Sequence, residues 1–384
     1  MATKKIRLGM VGGGEGAFIG AVHRIAARLD DRYELVAGAL SSDADRAARS
    51  AADLGIDNNR SYSNFAEMAR TEKQRDDGID AVSIVTPNHM HFPVIKSFLE
   101  NGIAVISDKP LTVSLEEALE LETLVKDTGC FLAVTHNYTG YPLVRQARHM
   151  VETGELGNIR LVHVEYVQDW LTVKEEEGGN KQAEWRTDPA RSGPGGCLGD
   201  IATHAFNLAG FISGLKVEEV SADLTSFLPG RQVDDNVHVM MRFQGQAKGM
   251  LWSSQVAPGN ENNLKIRIYG DKGGLEWHQE NPNQLMHSPF GESNRILTRA
   301  GHGLSDEANR VSRIPAGHPE GYLEGFANIY SDIADALIKH QNGASAESVM
   351  ELIPNIDAGV AGMKFIDSVI ESSNKNGEWV TLNA

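Results

Sequence analysis

The run Val11, Gly12, Gly13, Gly14, Glu15, Gly16, Ala17 is the tightest condition on how this 384-residue chain folds. Residues 6–11 read as a short buried strand that delivers the chain directly into it. Beyond it, Ile19, Val22, Ala26 and Leu29 recur at helical spacing, and residues 33–40 read as a second strand. A glycine loop between a strand and a helix is the context in which a dinucleotide pyrophosphate rests on the helix amino end. Gly12 permits the tight turn, Gly14 lets the backbone approach the phosphates, and Ala17 leaves room for helix and strand to pack. A glycine-rich turn with no ligand is the other reading of the motif alone; the flanking elements argue against it.

The ribose is read at the end of the second strand, where an acid favours the 2'-hydroxyl and a base the 2'-phosphate. Ser41, Ser42 and Asp43 stand there, with Arg46 one helical turn further on. NAD is therefore the expected cofactor, with NADP left open. Phe18 and Ile19, at the start of the helix, join the expected cofactor set.

Strands and helices keep alternating. A helix over 43–54, strands over 79–85, 103–107 and 131–134, and a helix opened by Ser114 and Glu117 as a capping box imply a doubly wound parallel sheet. The expected nucleotide-binding domain covers residues 1–137. From Tyr138 the rhythm changes. A helix near 142–152 and a strand over 159–170 lead into a long glycine-rich loop, which reads as a binding element or lid. A helix over 198–213 follows, then strands over 217–227, 237–243, 249–256, 264–269 and 275–279 in a meander. Helices over 322–339 and 355–372 and a last strand over 378–382 close the chain. The second expected domain, 138–384, is thus α+β with a large, mostly antiparallel open sheet. One face of such a sheet needs a cover, and a second copy of the chain is the expected one, as a dimer or tetramer.

The formal net charge of -16 argues against nucleic acid or an anionic membrane as partner. No apolar run reaches membrane-spanning length, and the amino terminus lacks the apolar core of a signal peptide. The two cysteines, Cys130 and Cys197, form no metal-ligand spacing and no disulfide framework, so a cytoplasmic protein without a metal is expected.

Polar residues cluster where the strands of the first domain end: Thr86, Asn88 and His91; Asp108 and Lys109; His136 and Asn137. Ligands of doubly wound sheets collect at those ends. In the second half, SGPGGCLGDIATH carries Asp200 and His204 four apart, on one face of a helix, where a carboxylate can orient an imidazole for proton transfer. A capping aspartate with a structural histidine is the plainer reading of that pair. The chain has no GK dipeptide of a phosphate loop, no HExxH, no GxSxG and no YxxxK.

Together VGGGEGAFIG, TPNHMH, the DKP of Asp108, Lys109 and Pro110, and GGCLGDIATH resemble the glucose-fructose oxidoreductase and inositol dehydrogenase family, Gfo/Idh/MocA, over nearly the whole chain. The resemblance implies a dehydrogenase that oxidises a ring hydroxyl of an inositol or hexopyranose by hydride transfer to the nicotinamide. Lys109, Asp200 and His204 fall at the positions of the catalytic group. Trp185 and Arg186 match a pair near the nicotinamide or substrate, and Thr86, Asn88, His91, Asp108, Lys109 and Asn137 complete the cofactor set. Tyr138, Arg186 and His318 join Lys109, Asp200 and His204 in the substrate set. Asp108 stands where glutamate is usual, and His136, Asn137 and Tyr138 replace a segment that often bears arginine. The glycines before Asp200 are expected to let the backbone pass close to substrate, with Cys197 only packing. A cofactor-binding sensor without turnover, biliverdin-type reduction and a redox-assisted glycosidase are the competing readings.

Overall fold

A computed structural model describes residues 5–382, which divide into two compact units. The first holds the chain up to Asn137 together with Phe326–Val360; the second holds Tyr138–Gly325 and the chain from Ala361 onward.

In the first unit, β1 (Ile6–Gly12), β2 (Tyr33–Ala39), β3 (Ala81–Val85), β4 (Ala104–Ser107) and β5 (Leu132–Val134) form one parallel sheet in the order β2-β1-β3-β4-β5. All residues of β3, β4 and β5 are buried. Such fully buried runs belong to strands covered on both faces. The crossing helices are α1 (Phe18–Leu29), α2 (Ala44–Asp53), α3 (Phe65–Gln74), α4 (His91–Glu100) and α5 (Leu115–Thr128). Ser114 caps α5 by accepting from the Glu117 amide, and Gly129 ends it in the left-handed conformation. The strand order reverses between β1 and β3, so their carboxyl ends open the crevice that ligands use in such sheets.

The expected boundary of the second domain needs correction. Residues 326–360 belong to the first unit, not to the second. The Tyr33 hydroxyl donates to the Tyr330 carbonyl at 2.8 Å, and the Val134 amide donates to the Pro354 carbonyl at 2.8 Å. Tyr330 therefore buries against α1 and β2, while Pro354 and Asn355 extend the β5 edge.

The second unit carries a nine-stranded sheet built from β6 (Ile159–Val167), β7 (Val217–Thr225), β8 (Asn236–Phe243), β9 (Lys248–Ser254), β10 (Asn263–Gly270), β11 (Gly273–His278), β12 (Gln284–Pro289), β13 (Arg295–Thr298) and β14 (Val380–Thr381). Its order, β13-β12-β11-β10-β6-β9-β8-β7-β14, corrects the expected simple meander. β6 is inserted between β10 and β9 and pairs with β9 in parallel; the other pairings are antiparallel. β12 and β13 escaped the sequence reading because their residues alternate polar and apolar only weakly. Along β6, Val162, Val164 and Tyr166 are buried. Leu161 points to the other face, where Met240, Met250 and Tyr269 are also exposed. No described helix is long and apolar enough to cross a membrane.

Two glycines test this packing. A Cβ on Gly20 would lie 2.4 Å from the Gly13 Cα, whereas one on Gly362, within the helix Ile356–Asn374, meets nothing within 4 Å. Gly20→Ala should destabilise the protein by about 1–3 kcal/mol in denaturant unfolding. Gly362→Ala should stabilise it by roughly 0.5–1 kcal/mol through helix propensity.

Candidate active site

The glycine loop of the first unit is held from three sides. Gly12 and Gly13 have φ of +80° and +71°, conformations that favour glycine. A Cβ on Gly12 would come within 2.9 Å of the Val85 carbonyl, and one on Gly14 within 2.6 Å of the Leu40 carbonyl. Gly14 passes tight against the end of β2, where a side chain would meet the Leu40 carbonyl. Gly20 lets α1 and the loop pack, and Ala17 is the extended residue ahead of α1. The Arg24 guanidinium donates to the Gly13 carbonyl at 2.6 Å, and the Glu15 amide donates to the Ser50 hydroxyl. Beside the loop opens a cavity of about 380 Å³ lined by the loop itself, Arg24, Ser50, Asp53 and Leu54.

Phe18 is 69% exposed at the start of α1, with Ile19 half-buried beside it. Asp43 is committed locally: its carboxylate accepts the Arg46 amide and caps α2, while its own amide donates to Ser41. Ser41 and the exposed Ser42 therefore remain as the hydroxyls at the end of β2. The donor set fits a dinucleotide: a cation under the loop, a free helix amino end and two hydroxyls without a neighbouring fixed base. Two further buried polar atoms at the strand ends, Thr86 Oγ1 and Asn137 Nδ2, have no hydrogen-bond partner among the described residues. Both lie among the expected cofactor residues.

His91 is buried with Nδ1 2.7 Å from the Pro110 carbonyl and Nε2 3.0 Å from the Thr86 carbonyl. With a single proton its ring donates to one of these carbonyls, and it sits between the turn after β3 and the turn after β4. Burial lowers its pKa, against the opposing pull of Asp108. Asn88 is buried alongside. Asp108 accepts from the Lys109 amide at 2.9 Å and from the Thr135 hydroxyl at 3.1 Å, so its carboxylate folds the turn that presents Lys109. His136 is pushed down to about 3 by burial and, next, by the Lys109 charge, and is neutral.

In the second unit, Asp200 and His204 do not share the regular helix expected. Leu198–Ala202 is a π-turn, and the α-helix begins only at Thr203, running Thr203–Ser213. Single π-turns are rare and concentrate at functional sites. Asp200 Oδ2 accepts from Gln255 Nε2 at 2.9 Å and lies 3.3 Å from Arg186 Nε. Arg186 stacks over Trp185 at 4.2 Å, in the short helix Lys181–Arg186. The expected long loop is therefore partly helical and delivers its Arg186 to Asp200. His204 is 8% exposed, its ring edge-on to Tyr138 at 4.9 Å. The Tyr138 hydroxyl is engaged with that of Tyr166 at 2.6 Å, so Tyr138 offers His204 a ring face, not a hydroxyl. Tyr166 and Gln168 both donate to Asn262, which lines a polar cavity of about 830 Å³ with Gln279, Asn283 and Glu320. His318 is exposed, and its carbonyl accepts from Arg299 Nη2 at 2.6 Å.

Two residues absent from the sequence reading shape this site. Gln255 follows β9 with no signal to mark it. Asp234 is buried and accepts the Gly196 amide at 2.7 Å and the Leu198 amide at 2.8 Å. A Cβ on Gly196 would lie 2.1 Å from the Asp234 carbonyl. That glycine is required by the clamp. Cys197 packs, its thiol donating to the Ser253 carbonyl.

A nucleotide-binding parallel sheet paired with a second unit that carries a carboxylate–imidazole turn defines a two-part dehydrogenase of the NAD-dependent class. Residues 6–136 match the model of an oxidoreductase family with an NAD-binding Rossmann fold, and residues 144–276 match the Gfo/Idh/MocA carboxy-terminal domain. The chain belongs to the Gfo/Idh/MocA oxidoreductase family. It is 37% identical to the uncharacterized oxidoreductase YfiI of Bacillus subtilis, over 98% of this chain and 97% of that one. Among solved structures, an oxidoreductase from Sinorhizobium meliloti is 55% identical, with a TM-score of 0.88 over 98% of this chain and 100% of that one. An inositol dehydrogenase homolog from Azotobacter vinelandii, complexed with NADH and myo-inositol, is 35% identical, with a TM-score of 0.92 over 99% and 98%.

Burial raises the Asp234 pKa from 3.8 to about 6, against the two amides that favour its charged form. A raised carboxyl contributes its stability fully below its unfolded value and loses it as pH rises through the folded value. The stability of wild type relative to Asp234→Asn should therefore fall by roughly 2–3 kcal/mol between about pH 4 and pH 6 in denaturant titrations. A difference that stays flat with pH would refute the assignment.

Proposed function

We propose that the protein oxidises a ring hydroxyl of a cyclic polyol, an inositol in the first instance and a hexopyranose in the second, to the ketone or lactone. The observation that supports this most is the Asp200–His204 turn, with His204 against the Tyr138 ring and Asp200 held by Gln255 and Arg186. The inositol-bound relative supports the substrate class. NAD, when bound, accepts the hydride from the hydroxyl-bearing carbon.

His204 takes the hydroxyl proton. Lys109 donates a hydrogen bond to the reacting oxygen and stabilises the negative charge that develops there. Asp200, with one oxygen occupied by Gln255 and Arg186, orients a neighbouring hydroxyl. The glycine loop with Arg24 below it receives the pyrophosphate, Phe18 and Ile19 flank it, and Ser41 and Ser42 meet the ribose. Thr86, Asn88, His91, Asp108, Asn137 and Trp185 complete the cofactor contacts. Tyr138 and Arg186 bound the substrate. The exposed His318 is kept in the substrate set only as an implication of the family resemblance.

Turnover is read as nicotinamide absorbance across a panel of inositols, hexoses and sugar acids. His204→Asn and Lys109→Ala should each lower kcat by roughly 10²–10⁴-fold on the best substrate, while NAD affinity by calorimetry changes little for His204→Asn. Near wild-type turnover in either variant would sink the assignment. Binding of NAD with no turnover on any compound would favour a sensor.

We also propose that copies of the chain associate through the sheet face bearing Leu161, Met240, Met250 and Tyr269. Met240→Lys with Met250→Glu should shift the mass measured by light scattering to that of one chain. An unchanged mass places the interface elsewhere.

A further inference from the structure

His23 lies on α1, fully buried, and belongs to none of the groups assigned above. Its Nδ1 is 2.8 Å from the Tyr330 hydroxyl and 3.2 Å from that of Ser83, and these two hydroxyls are 2.9 Å apart. Its Nε2 faces Asp108 Oδ2 at 4.0 Å, beyond hydrogen-bond length but within Coulombic reach in a dry interior. The other oxygen of Asp108 accepts the Lys109 amide and the Thr135 hydroxyl. Every group in the chain belongs to the first unit.

The hydroxyls on the Nδ1 side accommodate either tautomer, and the Asp108 carboxylate facing Nε2, which has no hydrogen-bond partner among the described residues, selects between them. Burial pushes His23 down to about 4, against Asp108 and with Arg24, so near neutral pH the ring carries a single proton. The Asp108 carboxylate can only accept, whereas the hydroxyls on the Nδ1 side can donate. A proton on Nδ1 would leave the Nε2 lone pair facing a carboxylate in a low dielectric. A proton on Nε2 removes that repulsion, and the Tyr330 hydroxyl then donates to Nδ1 while accepting from Ser83. The Phe326 ring, 4.7 Å away, closes the remaining side without any polar group.

We propose that His23, locked as the Nε2–H tautomer by Tyr330 and Ser83, is a positioning residue that fixes the Asp108 carboxylate and through it the turn presenting Lys109. The inference rests on the reading of Lys109 as the group that meets the reacting oxygen. It gives a purpose to three buried polar side chains, His23, Ser83 and Tyr330, that meet behind the turn after β4.

The test uses the full-length protein with labelled histidines. Long-range proton–nitrogen correlation spectra at neutral pH should report an Nε2–H tautomer for His23, identified by its loss in His23→Gln. Tyr330→Phe should transfer a measurable share of that signal to the Nδ1–H form. In turnover, Tyr330→Phe and His23→Leu should lower kcat roughly tenfold with KM for substrate and NAD affinity within about twofold. His23→Gln should recover most of kcat, because its amide N–H reaches the Nε2 position. An Nδ1–H tautomer in wild type overturns the inference. So does equal kcat in His23→Leu and wild type, or a loss in His23→Leu that His23→Gln does not recover although its melting temperature is unchanged. If Lys109→Ala abolishes turnover while the His23 variants do not move it, the catalytic reading stands and the positioning role fails. If Lys109→Ala itself keeps turnover, both fall.

Discussion

The second unit depends on a carboxylate held out of water. Asp234 accepts two backbone amides, those of Gly196 and Leu198, in a place where only glycine fits against its carbonyl. Two satisfied amides at the beginning of a helix are two fewer groups for the helix to leave bare. The next residues can therefore take up the wider π-turn, whose geometry swings Asp200 toward Gln255 and Arg186 and leaves His204 against Tyr138. The turn that carries Asp200 and leads into His204 is thus preceded by a clamp supplied from a strand-connecting segment thirty positions beyond His204.

The first unit solves the same problem with polar side chains at the ends of apolar strands. His91 lies between the Pro110 and Thr86 carbonyls, Asp108 accepts from an amide and a hydroxyl, and Arg24 donates to the Gly13 carbonyl. His91 and the Asp108–Thr135 contact bring together turns that come from different strands, and Arg24 ties α1 back to the glycine loop. A ligand at the glycine motif or at Lys109 therefore meets groups already held by contacts within the first unit.

The parallel sheet was legible because its signals are local: short apolar runs, a glycine loop, a capping box at Ser114 and a left-handed stop at Gly129. The candidate residues at the strand ends were legible for the same reason, since topology alone brings such ends together. What escaped depends on contacts between distant segments. Gly20 matters because Gly13 crosses it, and Gln255 because Asp200 faces it. Nothing in the spacing of Asp200 and His204 announces a π-turn, which opens beside the clamp made by the distant Asp234. The placement of β6 between β10 and β9 is likewise a long-range pairing with no sequence signature.

The return of residues 326–360 to the first unit carries a consequence for synthesis. The edge of β5 and the hydroxyl beside His23 are supplied by Pro354 and Tyr330. A ribosome that has released the first five strands has therefore not yet released the pieces that finish their packing. The nucleotide-binding unit must wait, partly open, while nearly two hundred further residues emerge, and its last buried contacts form only as translation nears its end.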